Sequence, residues 1–286
     1  MTDSRQDQLS KLIREWVEQT SGWFDGFRID KEFSIQTQVG KNTRRVILHR
    51  LVQEGLLKRH ANKQGMYCLV SAEAPLLDWK NADDGHTIEL HWPFSLEWYI
   101  KVYSRNLIVI AGSPNAGKTA LCLNLIYRNM GGPYDIVYYT SEMGGEEMKS
   151  RLLNFEDIEL DDWTFECRER SRDFAEVIQP DKVNIVDFLE ITDTFYLVGE
   201  ELRAIFEQLT TGIAIVCLQK KRGAELGRGA EFSLEKPRLY LSMDNNQLKI
   251  VKAKNWRSPT VNPNGKKWNY KLIQGCKFVD IQEVFG

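Results

Sequence analysis

One stretch constrains this chain more than any other: AGSPNAGKT, residues 111–119, which follows the apolar run Leu107 to Ala111 and opens a helical pattern from Lys118 to Arg128. Gly112, Gly117, Lys118 and Thr119 stand at G-x-x-x-x-G-K-T spacing. A loop of this kind works only between a strand and a helix N-terminus. Its glycines let the backbone wrap a phosphate, and the first helical turn supplies N–H groups with positive partial charge. The motif therefore predicts an α/β fold that binds ATP with Mg²⁺. Gly112, Ser113, Pro114, Asn115, Ala116, Gly117, Lys118, Thr119 and Ala120 form the cradle, Lys118 reaches the β- and γ-phosphates, and Thr119 ligates the metal.

The surrounding pattern agrees. From Asn106, apolar strands (Leu107 to Ala111, Ile136 to Tyr139, Val183 to Asp187, Ile213 to Leu218) alternate with helical patterns (Lys118 to Arg128, Gly145 to Asn154, Val198 to Leu209). That alternation is the signature of a parallel sheet covered on both faces. After Pro237 the helices stop. Short strands at Leu239 to Leu241, Leu248 to Val251, Trp268 to Ile273 and Cys276 to Ile281, with turns at Asp244 to Asn246 and Asn262 to Gly265, predict an antiparallel extension.

Three polar residues end strands in this region. Asp187 closes VNIVD and is the natural acid to hold the Mg²⁺ water shell. Glu142 follows IVYYT; a strand lying beside the phosphate-loop strand would bring its carboxylate to the γ-phosphate, where it could polarise a water. The alternative is that Glu142 caps the helix near Gly145. Gln219 follows IAIVCL, where an amide can sense the γ-phosphate, or can be an ordinary polar residue at a strand end.

The first seventy residues differ in character. They hold 12 Lys+Arg against 8 Asp+Glu, a net of +4, which leaves −6 for the remainder of a chain whose overall formal charge is −2. Helical spacing from Ser4 to Thr20, a short segment from Ile29 to Ile35, and a stronger helix in KNTRRVILHRLVQEGLL precede a strand, turn and strand between Leu56 and Val70. In the stronger helix, Asn42 or Thr43 can cap the start, Val46, Ile47, Leu51 and Val52 face inward, and Gly55 supplies the stop. Three helices and a two-stranded wing are the layout of a winged helix-turn-helix domain, which residues 1–70 resemble. Thr43, Arg44, Arg45 and Arg50 on the helix and Lys58, Arg59 and Lys63 on the wing are the residues expected to meet duplex DNA; a protein-docking module with a solvated basic face is the alternative. Residues 71–87 read as a linker, and the aromatic stretch HWPFSLEWYI packs it onto the domain that follows, residues 88–286.

Five widely spaced cysteines form no C-x-x-C pair, so neither a disulfide framework nor a zinc site is indicated. No apolar leader or bilayer-length run is present, and the expectation is a cytoplasmic protein without a membrane partner.

The set GSPNAGKT, TSEM, IVDFLEI, VCLQ and KAKNWRSP, in this order, resembles the ATPase core of DnaB-type replicative helicases within the RecA/KaiC superfamily, over about residues 88 to 286. The resemblance implies a RecA-like P-loop NTPase core with a parallel sheet and C-terminal antiparallel strands, beside the small winged-helix domain. It implies Glu142 as catalytic glutamate, Asp187 as the Walker B acid, Gln219 as γ-phosphate sensor, and Lys254 with Arg257 as a basic pair reaching a neighbouring subunit's phosphates. Trp256 occupies the family's Arg position and Arg257 stands one residue further on. A solvated hairpin face is the alternative for the basic pair. In RecA-like motors the segment after the sensor carries nucleic-acid loops, so Lys220, Lys221, Arg222 and Arg228, within 220–236, are expected to touch single-stranded DNA unless this is a plain surface loop.

The leading expectation is a DNA-associated homo-oligomeric ATPase, in a hexameric ring or filament, working as a helicase or translocase of a phage or mobile element. Its competitors are a nucleotide-switched DNA-binding regulator or replication factor without motor activity, and a KaiC-like signalling ATPase.

Overall fold

The computed structural model describes residues 2–20, 22–60, 63–70, 77–190 and 197–284, with the backbone alone for residues 2–6. The chain divides into two units, Met1–Ala82 and Asp83–Gly286.

The first unit runs α1 (Thr2–Glu18), β1 (Phe24–Asp25), α2 (Gly26–Glu32), α3 (Gln38–Gln53), β2 (Leu57–Arg59) and β3 (Met66–Leu69). Its strands make an antiparallel sheet in the order β1-β3-β2. Ile13, Val17, Phe24, Ile29, Ile47, Leu48, Leu51 and Leu57 form its core. Helix α3 begins earlier than Asn42 or Thr43: the Thr37 side chain caps it, accepting from Gly40 N at 3.1 Å. Thr43 lies inside the helix, where its hydroxyl donates to Val39 O. The longer helix takes its phase from Ile47, Leu48 and Leu51, all buried, which turns Val46 outward at 69% exposure instead of into the core. The helix still ends at Gly55, which has a left-handed φ of 75°. Part of the expected wing turn, residues 61–62, and residues 71–76 of the expected linker lie outside the described residues.

The second unit contains β4 (Leu107–Gly112), α4 (Lys118–Asn129), β5 (Ile136–Thr140), α5 (Gly145–Leu152), β6 (Glu166–Glu169), β7 (Val183–Asp187), α6 (Leu197–Gln208), β8 (Ile213–Gln219), β9 (Leu239–Asp244), β10 (Gln247–Ala253), β11 (Lys267–Ile273) and β12 (Lys277–Val284). Among the described residues they form one sheet, ordered β12-β11-β10-β9-β4-β8-β7-β5-β6. The block from β9 to β6 is parallel, and β10, β11 and β12 extend it antiparallel. Every residue of β4 is buried because helices cover both faces. Ile108 and Ile110 pack with Leu121, Leu125 and Ile126 of α4, while Leu107 and Val109 pack with Val198, Leu202 and Ile205 of α6. The aromatic stretch joins the α4-side core through Trp92, Phe94, Leu96 and Ile100.

One expectation about strand order is overturned. Strand β5, which carries Glu142 beyond its end, does not lie beside β4; β8 and β7 stand between them. Sequence order gives the connections, but lateral order follows from which helix-covered crossovers pack, and the later strands β8 and β9 fill the positions next to β4 while β7 lies between β8 and β5.

Candidate nucleotide site

The parallel strands end together on one edge, and the phosphate loop rises from it. Gly112 pairs with Gln219 across β4 and β8, and Thr140 pairs with Asp187 across β5 and β7. The tips of β5 and β7 are laced beyond the ladder: Ser141 N donates to Asp187 O at 3.2 Å, and Phe188 N donates to Ser141 Oγ at 3.2 Å. Glu142 is the next residue, exposed on this edge. It is therefore brought directly to β7, the strand that ends in Asp187, and to the loop only across it.

The loop backbone is built for an anion. The N-cap of α4 is Gly117 and no side chain caps the helix, so the first-turn N–H groups are left for a ligand. Gly117 has φ 89°, and a Cβ there would lie 3.0 Å from Leu272 Cδ2. At Gly112 a Cβ would lie 2.5 Å from the Lys118 stem, so this glycine clears the lysine's path over the strand end. Lys118 Nζ lies 3.4 Å from Gly112 O and 5.9 Å from the Phe188 ring centroid, next to Asp187. Asp187 is 4% exposed, and its Oδ2 accepts from the Tyr138 hydroxyl at 2.6 Å. Burial beside that carboxylate pushes the Tyr138 phenol well up, which keeps it a donor. A cationic lysine, a held carboxylate and a helix end with free N–H groups fit the phosphates and the Mg²⁺ of a nucleotide, with Thr119 in the first turn of α4 and Gln219 facing Gly112.

The sequence reading missed the buttress behind this loop. The Tyr270 hydroxyl on β11 lies 2.7 Å from Ala116 O and 3.1 Å from Asp244 O, bridging loop and β9. Burial, then the Asp244 charge, raises the Tyr270 phenol far above its usual range. No signal in the sequence couples positions 154 residues apart.

Lys220 does not face nucleic acid. It is 3% exposed, and its Nζ donates to Ala224 O at 2.6 Å and to Asp244 Oδ2 at 2.7 Å. The loop after β8 folds back over the sheet edge, where β9 delivers Asp244, so the lysine closes the fold instead of opening to solvent. Lys221, Arg222 and Arg228 are exposed.

Lys254 and Arg257 sit at the other end of the sheet. β10 returns antiparallel to β9, with Ala253 opposite Leu239 and Leu239 opposite Ile108. The six-residue strand β4 separates that edge from the phosphate loop by about 20 Å. Lys254 is exposed. Arg257 is engaged: it donates to Glu89 at 3.2 and 2.8 Å and to Glu97 O at 3.1 Å. The Arg257 hydrogen bond is the largest cause holding the Glu89 carboxyl below its ordinary pKa, followed by Thr87.

In the first unit, Arg44 also departs from the expected outer face. Its guanidinium turns inward to Asp30 at 3.0 Å, both side chains 11% exposed, because α3 starts early and presents this position to α2. Arg45, Arg50, Lys58, Arg59 and Lys63 are exposed. Arg50 contacts Ser10 and Glu54, and Lys58 Nζ lies 5.7 Å from the Trp23 ring centroid.

The fold and loop together define a RecA-like α/β core of the P-loop class. A solved structure similar to it is that of a KaiC-like protein from the hyperthermophilic archaeon Pyrococcus horikoshii OT3, at 14% identity and a TM-score of 0.52, covering 69% of this chain and 99% of that one. No family profile and no curated protein sequence matches the chain. Among the described residues no helix is long and apolar enough to cross a membrane.

Proposed function

We propose that this chain is a Mg²⁺-dependent ATPase of the RecA/KaiC type that associates with DNA and works as an oligomer. The observation that carries the reading is the uncapped α4 N-terminus with Lys118 extended toward the Phe188 ring beside Asp187. The loop N–H groups and Lys118 hold the triphosphate, and Thr119 and the buried Asp187 hold the Mg²⁺, which supplies charge neutralisation on the phosphates when bound. Glu142 polarises the attacking water, and Gln219, directly across from Gly112, registers the γ-phosphate. Lys254 and Arg257 are too far from their own phosphate loop to act on it, so a role in turnover requires a neighbouring protomer's site.

The three helices and small antiparallel sheet of the first unit support the winged-helix reading. Duplex DNA is the partner we assign to it, through Arg45, Arg50, Lys58, Arg59 and Lys63, and single-stranded DNA is the partner of Lys221, Arg222 and Arg228. A motor of the helicase or translocase kind, in the cytoplasm, is the fullest form of this reading. The engagement of Arg257 by Glu89 favours a second form, a nucleotide-switched DNA-binding factor that hydrolyses slowly and moves nothing.

The test is the ATPase rate without DNA, with single-stranded DNA and with duplex, alongside particle mass with and without nucleotide. Strong single-strand stimulation in an assembled ring or filament supports the motor, and duplex binding without stimulation supports the switch. Turnover indifferent to both DNAs removes DNA from the function and leaves a KaiC-like signalling ATPase.

A further inference from the structure

Resting on the nucleotide reading above, we propose that Tyr270 is a positioning residue for the nucleotide. Its hydroxyl holds the Ala116 carbonyl and so aims the Gly117 N–H into the phosphate cradle, acting on the ligand only through that peptide.

In the sheet, β11 is separated from β4 by β10 and β9. The antiparallel extension nevertheless comes back against the phosphate loop, and three contacts mark where it does. The Tyr270 hydroxyl lies 2.7 Å from Ala116 O. A Cβ on Gly117 would stand 3.0 Å from Leu272 Cδ2 and 3.6 Å from the Phe278 ring. Tyr270 and Leu272 are two apart on β11, so one face of that strand backs both residues of the peptide.

A trans peptide points its C=O and the following N–H in opposite directions. Fixing the Ala116 oxygen toward β11 therefore turns the Gly117 hydrogen away from β11, to the N-terminus of α4 that no side chain caps. The groups on either side are already tied: Ala116 N donates to Ser113 O at 3.1 Å, and Gly117 O accepts from Leu121 N at 2.9 Å. The hydroxyl sets the one peptide plane that these two bonds leave between them. A hydrogen bond at the carbonyl also polarises the amide, which makes its N–H a stronger donor to an anion.

The donor is itself held. Tyr270 is buried, and its ring meets Phe94 at 5.3 Å and Phe278 at 5.1 Å, both edge-on. Burial, then the Asp244 charge, keeps the phenol protonated. Asp244 O, at 3.1 Å, is the more distant of its two acceptors.

Tyr270→Phe in the full chain keeps the ring and removes the hydroxyl alone. Equilibrium titration with ADP and with a non-hydrolysable ATP analogue, in Mg²⁺, should show affinity about five-fold weaker for each, the effect of one hydrogen bond on phosphates that both nucleotides share. In steady-state turnover KM should rise by a similar factor with kcat unchanged, the pattern of lost binding that ground state and transition state share. Placing 3-fluorotyrosine at position 270 returns a hydroxyl and should restore the affinity. Tyr99→Phe is the control, since it removes a phenol that bonds Glu283 at 2.7 Å and no loop residue, and its nucleotide affinity should equal that of the wild type. Wild-type affinity in Tyr270→Phe, an equal loss in Tyr99→Phe, or a lower kcat at unchanged KM overturns the positioning role and leaves nucleotide binding standing. Failure of Tyr270→Phe to fold, with 3-fluorotyrosine at 270 folding but binding no better than five-fold below wild type, overturns it too. A wild-type chain that binds neither nucleotide overturns the nucleotide reading itself.

Discussion

At the scale of single residues, the proposed function gives holding a nucleotide and hydrolysing it to different side chains. Lys118 is a point charge in the loop, whereas Glu142 stands beyond the laced tips of β5 and β7, exposed on the same edge as Asp187. Lys118→Ala should therefore abolish most ATP affinity, while Glu142→Gln should bind ATP nearly as well as the wild type and turn over about 10²-fold more slowly or worse. Equilibrium titration with a fluorescent ATP analogue and a steady-state phosphate-release assay check the two. Wild-type turnover in Glu142→Gln would mean that this carboxylate serves only the entry to α5.

At the scale of elements, the loop between β8 and β9 contains two kinds of cation in adjacent positions. Lys220 is closed into the fold by Asp244 and Ala224, whereas Lys221 and Arg222 are exposed. Lys220→Met leaves the Ala224 carbonyl and the Asp244 carboxylate without their donor and should cost about 1–3 kcal/mol of unfolding free energy in urea, with little change in the salt dependence of DNA binding. Replacing Lys221 and Arg222 by alanine should do the reverse, keeping stability and flattening the plot of log K against log[salt] by about one unit per lost phosphate contact. A Lys220→Met protein as stable as the wild type but defective on DNA would show that the loop leaves its clamp when it binds.

For the whole molecule, the sheet keeps the P-loop and the Lys254–Arg257 segment at opposite edges, about 20 Å apart along β4. A protomer acting alone cannot bring them together without breaking the sheet. Mixtures of Arg257→Ala and Glu142→Gln chains should therefore recover part of the ATPase activity that each lacks, since a site shared between neighbours can draw one intact group from each. Titrating one variant into the other at constant total protein, with oligomers verified by mass, gives the readout. If no ratio restores activity, Arg257 is a structural tie to Glu89 and Glu97.

The sequence determined the phosphate loop, the alternation that makes a parallel sheet, and the strand-end positions of Asp187 and Gln219, because each depends on neighbours within a few residues. Spacing around Gly112 to Thr119 encodes a local conformation, and apolar runs encode burial on both faces. Tertiary structure alone decided which strands flank β4, which way Arg44 and Val46 point, and which cations are buried. Arg44 and Lys220 read as surface charges in sequence, but Asp30 and Asp244 meet them from elements 14 and 24 residues away. Val46 reads as core, yet one earlier helical turn, capped by Thr37, lets Leu48 take the buried place. A helix's phase follows from the contacts that bury most apolar surface, and an ion pair from which chains the fold brings together; neither is a property of adjacent residues.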